Sequence, residues 1–252
     1  MRIRSLQLAA ALSLLLAPAS AAAQYDPRYP GGTAPAPARP AAPPPQRPPP
    51  PPPGPGPTGL TLGARFGYGW PGGDISDEGD PRLGDLVDHK LPIWLELGYR
   101  FNPAVRGGVF IELAPTTVSD VYCPPGQSCD AFDWRFGVDL QLHLRPGAPV
   151  DPWVGVGLGV EVLQADTTLV DPLGNPFFGE VTYTAFELPM LEGGLDLALG
   201  RWFTLGPFVS WSLGTYTSVE ARGAGFTTTD VAIHDRALHQ WLELGIKGTF
   251  SL

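Results

Sequence analysis

Four histidines, two cysteines and one dense run of acids are the groups in this chain best suited to chemistry. Cys123 and Cys129 flank Pro-Pro-Gly-Gln-Ser. Two neighbouring cysteines and no others, in a chain that carries an export signal, favour a local disulfide. A zinc site would require four ligands, and no histidine is near. The run "GGDISDEGDPRLGD" offers Asp74, Asp77, Glu78 and Asp80 as oxygen donors for calcium. Their spacing departs from an EF-hand loop, so a solvated acidic loop is expected. A hydrolase would need serine, histidine and an acid in contact. His239 and Glu243 share one strand face, but no recognisable serine motif accompanies them, and His143 reads as a polar interior residue. His89 and His234 fall between the apolar segments. "GVGLGV" lies mid-strand, where alternating glycine packs rather than binds phosphate. The sequence therefore predicts a non-enzyme with no catalytic residue, no cofactor and no metal.

The elements that would position these groups are strands. From Phe132 to Pro146 the even positions are Phe, Trp, Phe, Val, Leu, Leu, Leu and Pro, and the odd positions are Asp, Arg, Gly, Asp, Gln, His and Arg. Strand side chains alternate faces at period two, so one face is wholly apolar and the other polar. The same alternation recurs in "LTLGARFGYGW", "IWLELGYRF", "VFIEL", "VGVGLGVEV", "FELPMLEGGLDLALG", "FTLGPFVSWSLG" and "WLELGIKGTFSL". Phase breaks around Pro189, where a bulge is expected. Long connections at 71–90, 115–131, 164–184 and 217–238 alternate with short ones near 102–105, 146–151 and 200–202. This layout predicts an all-β fold: an eight-stranded antiparallel up-and-down transmembrane β-barrel, with long loops outside and tight turns in the periplasm.

Composition divides the remainder of the chain. Residues 1–23 combine Arg2 and Arg4, an apolar run from Leu6 to Leu16 and small residues at Ala21 and Ala23, which is the layout of a cleaved signal peptide. The run is too short to span a bilayer. Residues 24–58 hold sixteen prolines between Pro27 and Pro57. They predict a disordered, extended periplasmic linker unable to build a core. Residues 59–252 form the barrel. The net charge of −9 argues against nucleic acid as a partner.

The polar face decides between lipid outside and water outside. A soluble eight-stranded barrel would set its charges towards solvent, but this face is crowded with glycine as well as charge, which suits the inside of a narrow tube. Acids and bases on it nearly balance, and buried charges are tolerated when paired. We expect a lumen network of Arg65, Glu96, Arg100, Glu112, Asp133, Arg135, Asp139, His143, Glu161, Glu192, Asp196, Glu243 and Lys247, with Arg145 on the same phase. Against lipid, each Arg or Lys near the midplane would cost about 2–4 kcal/mol. Tyr68, Trp70, Tyr99, Phe101, Phe132, Trp134, Trp153, Trp202, Phe203 and Trp241 lie near strand ends and predict two aromatic girdles, with an inward direction left open for some of them.

Residues 59–252 resemble the small outer-membrane barrels of the OmpA transmembrane-domain and OmpW type. The resemblance rests on the period-two pattern, on "RPGAPVDPWVGVGLGVE" after a turn and on a last strand ending near an aromatic. Here Phe250 is followed by Ser251 and Leu252, whereas the class usually ends on Phe. The resemblance implies an integral protein of the Gram-negative outer membrane with a structural or surface-interaction role. It also carries two alternatives, a narrow channel for small hydrophobic solutes and an outer-membrane lipid A hydrolase or acyltransferase. The expected partners are outer-membrane lipid and lipopolysaccharide, with peptidoglycan or a periplasmic protein as contacts of the proline-rich arm.

Overall fold

The computed structural model describes residues 58–76, 82–123, 127–170, 176–223 and 226–252. The expected signal peptide and nearly all of the linker, as well as Asp77, Glu78 and Asp80, lie outside these residues.

Among the described residues, ten strands and one short helix follow in order: β1 (Gly59–Gly73), α1 (Leu83–Leu86), β2 (Val87–Lys90), β3 (Ile93–Asn102), β4 (Val105–Val118), β5 (Ser128–His143), β6 (Val150–Val170), β7 (Pro176–Ala198), β8 (Phe203–Gly223), β9 (Phe226–Ala232) and β10 (His239–Ser251). β2 and β3 are one stave interrupted at Leu91 and Pro92, because both pair with β1 and with β4. β9 pairs only with β8, extending it beyond the ring. The remaining staves pair antiparallel with their neighbours in sequence, and β10 closes on β1 through Arg65↔Lys247 and Leu62↔Phe250. The ring therefore has eight staves, and β10 on β1 closes it without a free edge among them. No helix among the described residues is long and apolar enough to cross a membrane.

One end carries the tight turns. Asn102 Oδ1 accepts from the backbone N–H groups of Ala104 and Val105, which fixes the first. The second places Gly147 at φ 81°, a left-handed conformation that glycine adopts without steric cost. Asp151 holds its start by accepting from the Arg145 N–H. Leu252 N–H donates to the Leu60 carbonyl, so the barrel's first and last residues meet at this end.

At the opposite end the structure corrects the sequence reading. Strands extend well into the segments expected to be loops, with β6 reaching Val170, β7 starting at Pro176 and β8 reaching Gly223. Backbone pairing continues where the apolar alternation has stopped. The first connection turns inward: Leu83 and Leu86 of α1 pack with Ile75, Val87, Leu163, Ala165, Ala185, Tyr216 and Trp241 as a buried apolar cluster. Cys123 and Cys129 form a disulfide in the second.

The faces sort as the alternation predicts. Leu62, Leu95, Val109, Val138, Leu140, Val156, Leu191, Val209 and Leu244 point outward, with Leu140 50% exposed. Glu96, Glu112, Asp139 and Lys247 on neighbouring positions are at most 5% exposed. The phase change near Pro189 is present as register shifts at Gly157/Gly159 and Glu187/Met190. Glu187 and Met190 both point inward although their numbers differ by three.

Candidate functional site

Among the described residues, most buried charged groups point into the lumen. Thirteen residues expected there from their phase (Arg65, Glu96, Arg100, Glu112, Asp133, Arg135, Asp139, His143, Glu161, Glu192, Asp196, Glu243 and Lys247) are all buried. They fall into three groups along the tube.

Nearest the tight turns, Arg100 donates to the Pro103 carbonyl at 2.9 Å and meets His143 Nε2 at 3.2 Å. His143 Nδ1 lies 2.9 Å from Asp151 and 4.0 Å from Asp196. In the next group Arg65 binds Glu96 and reaches Glu192 at 2.9 Å. Arg106 pairs with Glu96 at 2.9 Å and Asp139 at 3.4 Å, and Lys247 donates to Gln141 at 2.6 Å. In the third, Lys90 Nζ sits 2.6 Å from Glu112, 2.7 Å from Asp133 and 2.9 Å from Glu243. Arg135 lies within 4 Å of those three acids and of Glu161 and Glu187. His239 Nε2 contacts Glu161 at 2.7 Å, not the Glu243 of its own strand.

Aromatic rings lie between the second and third groups. Trp94 and Phe110 stack at 4.7 Å, with Met190 in the same buried cluster. The Arg65 guanidinium lies over Trp94, Trp153 and Phe208, Lys247 over Trp153, and Lys90 over Trp241. Cations on ring faces gain electrostatic attraction where water cannot compete. The structure settles which of the strand-end aromatics point inward and moves one charge outward. Trp153 and Trp241 are buried lumen residues, because they share phase with Gly155 and Glu243. Arg145 is exposed at the second turn. Of the rings expected in the girdles, Trp70, Tyr99, Phe101, Phe132, Trp202 and Phe203 are exposed on the outside.

Sequence reading placed Gln141 on the polar face but missed Lys90, Arg106, Asp151 and Glu187 as lumen residues. Phase carried the signal for three of the four, with Asp151 in step with Trp153 and Gly155. Lys90 is in step with Trp94, Glu96 and Arg100, and Arg106 is in step with Phe110 and Glu112. Small residues make room for the large ones. A Cβ at Gly98 would stand 2.7 Å from Arg106 Nε, and one at Gly69 would stand 2.9 Å from Lys90 Cγ.

The other candidate groups are dispersed. His89 stacks on Tyr68 at 4.8 Å, and His234 is exposed. Asp74 pairs with Arg82 at 3.4 Å on the surface. Ser210 and Ser212 donate to Glu243 and Glu187 inside the tube.

No protein-family model matches the chain, and no curated protein matches it in sequence. Solved structures do. Neisserial surface protein A is 16% identical over 77% of this chain and 97% of its own, with a TM-score of 0.44. A major outer membrane protein from Thermus thermophilus is 12% identical over 76% and 99%, with a TM-score of 0.49. OprG from Pseudomonas aeruginosa is 14% identical over 78% and 99%, with a TM-score of 0.47. The fold itself stands on the closed antiparallel ring, the apolar exterior and the charged interior: this chain is an eight-stranded up-and-down β-barrel of the transmembrane type.

Proposed function

We propose that the chain is an integral outer-membrane protein acting through its surface rather than as a conduit, with a structural or surface-interaction role. What supports this reading is the density of side chains inside the ring. Two dense ion-pair groups, an aromatic layer between them and the apolar α1 cluster at the outer end occupy the tube in series. An eight-stranded ring is just wide enough for side chains to fill. The bilayer supports the facing, since an apolar exterior and paired interior charges fit hydrocarbon outside and not inside.

The extended hairpins supply the outer surface. Asp130, Asp166 and Arg222 are exposed on the outward face beyond Phe132, at the level where lipopolysaccharide headgroups would lie. In this reading residues 1–23 direct export. Residues 24–58 serve as a periplasmic arm for contact with peptidoglycan or a periplasmic protein. We read the barrel as non-enzymatic: its lumen serines Ser210 and Ser212 are engaged by carboxylates and neither faces lipid.

Planar-bilayer recording of the purified protein tests this. The expected result is no discrete conductance and no uptake of small hydrophobic solutes into vesicles. Reproducible uptake would favour the narrow-channel alternative and overturn the sealed lumen.

A further inference from the structure

We propose that Glu161, Glu187 and His239 form a binding site for a divalent transition-metal ion of the zinc type at the outer end of the lumen. The three come from β6, β7 and β10. Each offers one ligand atom, these atoms all lie within 4.8 Å of one another, and all three residues are buried.

Neighbours hold the three side chains in place. Glu161 Oε1 accepts from Tyr216 Oη at 3.2 Å and from Trp241 Nε1 at 3.0 Å. Glu187 Oε1 accepts from Ser212 Oγ at 2.8 Å. The Tyr216 ring stacks on the His239 imidazole at 4.1 Å. Such supporting contacts orient metal ligands and tune their basicity. Glu187 Oε2 and His239 Nδ1 are left buried with no hydrogen-bond partner.

Charge points the same way. Lys90 is engaged by Glu112, Asp133 and Glu243. The Arg135 Nη2 group approaches Glu187 at 3.3 Å and Glu161 at 3.9 Å without hydrogen-bonding to either. Two buried carboxylates at this corner thus share one guanidinium, itself approached by three further acids, and a histidine, and an under-compensated buried anion is costly. A dication would relieve it. An imidazole nitrogen with two carboxylate oxygens suits zinc, cobalt or manganese better than calcium or magnesium, which favour all-oxygen sets. Three protein ligands leave a position for water. Ligands about 2.0–2.2 Å from one tetrahedral ion stand roughly 3.3 Å apart. The 2.7 Å contact between Glu161 and His239 would therefore open slightly as the ion enters between them.

The apolar cluster of Leu83 and Leu86 packs on Tyr216 and Trp241, so exchange is expected to be slow. The test therefore refolds the full chain into detergent micelles with Zn²⁺ or Co²⁺, removes free ion and measures retained metal. The expected result is one ion per folded chain. Affinity should fall more than about tenfold in Glu187→Gln and His239→Gln, and about tenfold in Ser212→Ala, with heat-modifiable gel mobility reporting folding. Retention unchanged in the two ligand variants, or no retention by folded wild type, would overturn the site. If both ligand variants fail to fold, the wild-type cobalt spectrum decides. Intense visible bands of four- or five-coordinate cobalt support the site, and weak octahedral bands or none overturn it.

Discussion

Replacing Lys90 with methionine isolates the energetic logic of the lumen. The ammonium has three donors and three carboxylates to receive them, Glu112 at 2.6 Å, Asp133 at 2.7 Å and Glu243 at 2.9 Å. Hydrogen bonds to charged groups contribute about 1.5–3 kcal/mol each, so a simple sum would be roughly 5–9 kcal/mol. That sum overshoots, because Arg135 stays 3.4–3.6 Å from the same three acids. The cost of leaving a buried charge unpaired, about 3–5 kcal/mol, is the better figure. Methionine keeps much of the stem's volume above Trp241 and so limits any cavity contribution. Urea unfolding in lipid vesicles, followed by tryptophan fluorescence, measures the loss. Glu112→Gln in the same chain should return part of it, since it removes one of the orphaned anions. High salt should leave the difference almost unchanged, because fully buried pairs are poorly screened. A loss below about 1 kcal/mol, or one abolished by salt, would mean that these acids are solvated and that the tube is not sealed at this level.

Three further outcomes follow from the same structure. Val138→Arg, on the outward face midway along β5, should destabilise the barrel in vesicles by about 2–4 kcal/mol, whereas Leu144→Arg at the turn end should cost about 0–1 kcal/mol; equal costs in vesicle unfolding would count against lipid facing. Gly98→Val should displace Arg106 from Glu96, since a Cβ there already meets the guanidinium at 2.7 Å, and should lower stability by roughly 3 kcal/mol in the same assay. Cys123→Ser with Cys129→Ser should leave the urea midpoint nearly unchanged but speed protease cleavage between the outer ends of β4 and β5, because the bridge lies at a hairpin tip; a large midpoint shift would refute this.

Much of the barrel was legible because two solvents, hydrocarbon and a packed polar interior, act on alternate residues of every stave. A residue such as Asp139 or Lys247 has only one tolerable direction, so its phase assigns those of its neighbours. The lengths of the staves were not legible. Above Gln164 the outward positions become Asp166 and Thr168, the apolar contrast vanishes, and nothing in the side chains distinguishes a paired strand from a loop. Lys90 and Arg106 were hidden differently. Each lies at the margin of a clear apolar run, Lys90 behind Leu91 and Pro92 and Arg106 beside a tight turn, yet both keep the inward phase. Trp153 and Trp241 were grouped by their closeness to strand ends with their direction left open, although phase with Gly155 and Glu243 pointed inward. Glu187 was lost to the bulge near Pro189, after which inward residues move from odd to even numbers.

Register is where these observations combine. Arg65 lies opposite Lys247 across the closing seam. Two like-charged side chains at one level are tolerable because Glu96 comes from the next stave and Glu192 from across the lumen. A one-residue slip of β10 would turn Lys247 and Glu243 towards lipid and bring Leu244 and Ile246 among buried charges. A two-residue slip would preserve facing but bring Lys247 opposite Gly63 or Gly67, changing its distance from Glu96 and Gln141. Facing is thus enforced by the bilayer on every stave, while the finer choice among slips that preserve facing falls to the ion pairs. The buried charges specify this barrel's closure more than they add to its gross stability, a role that polar groups inside packed structures can fulfil.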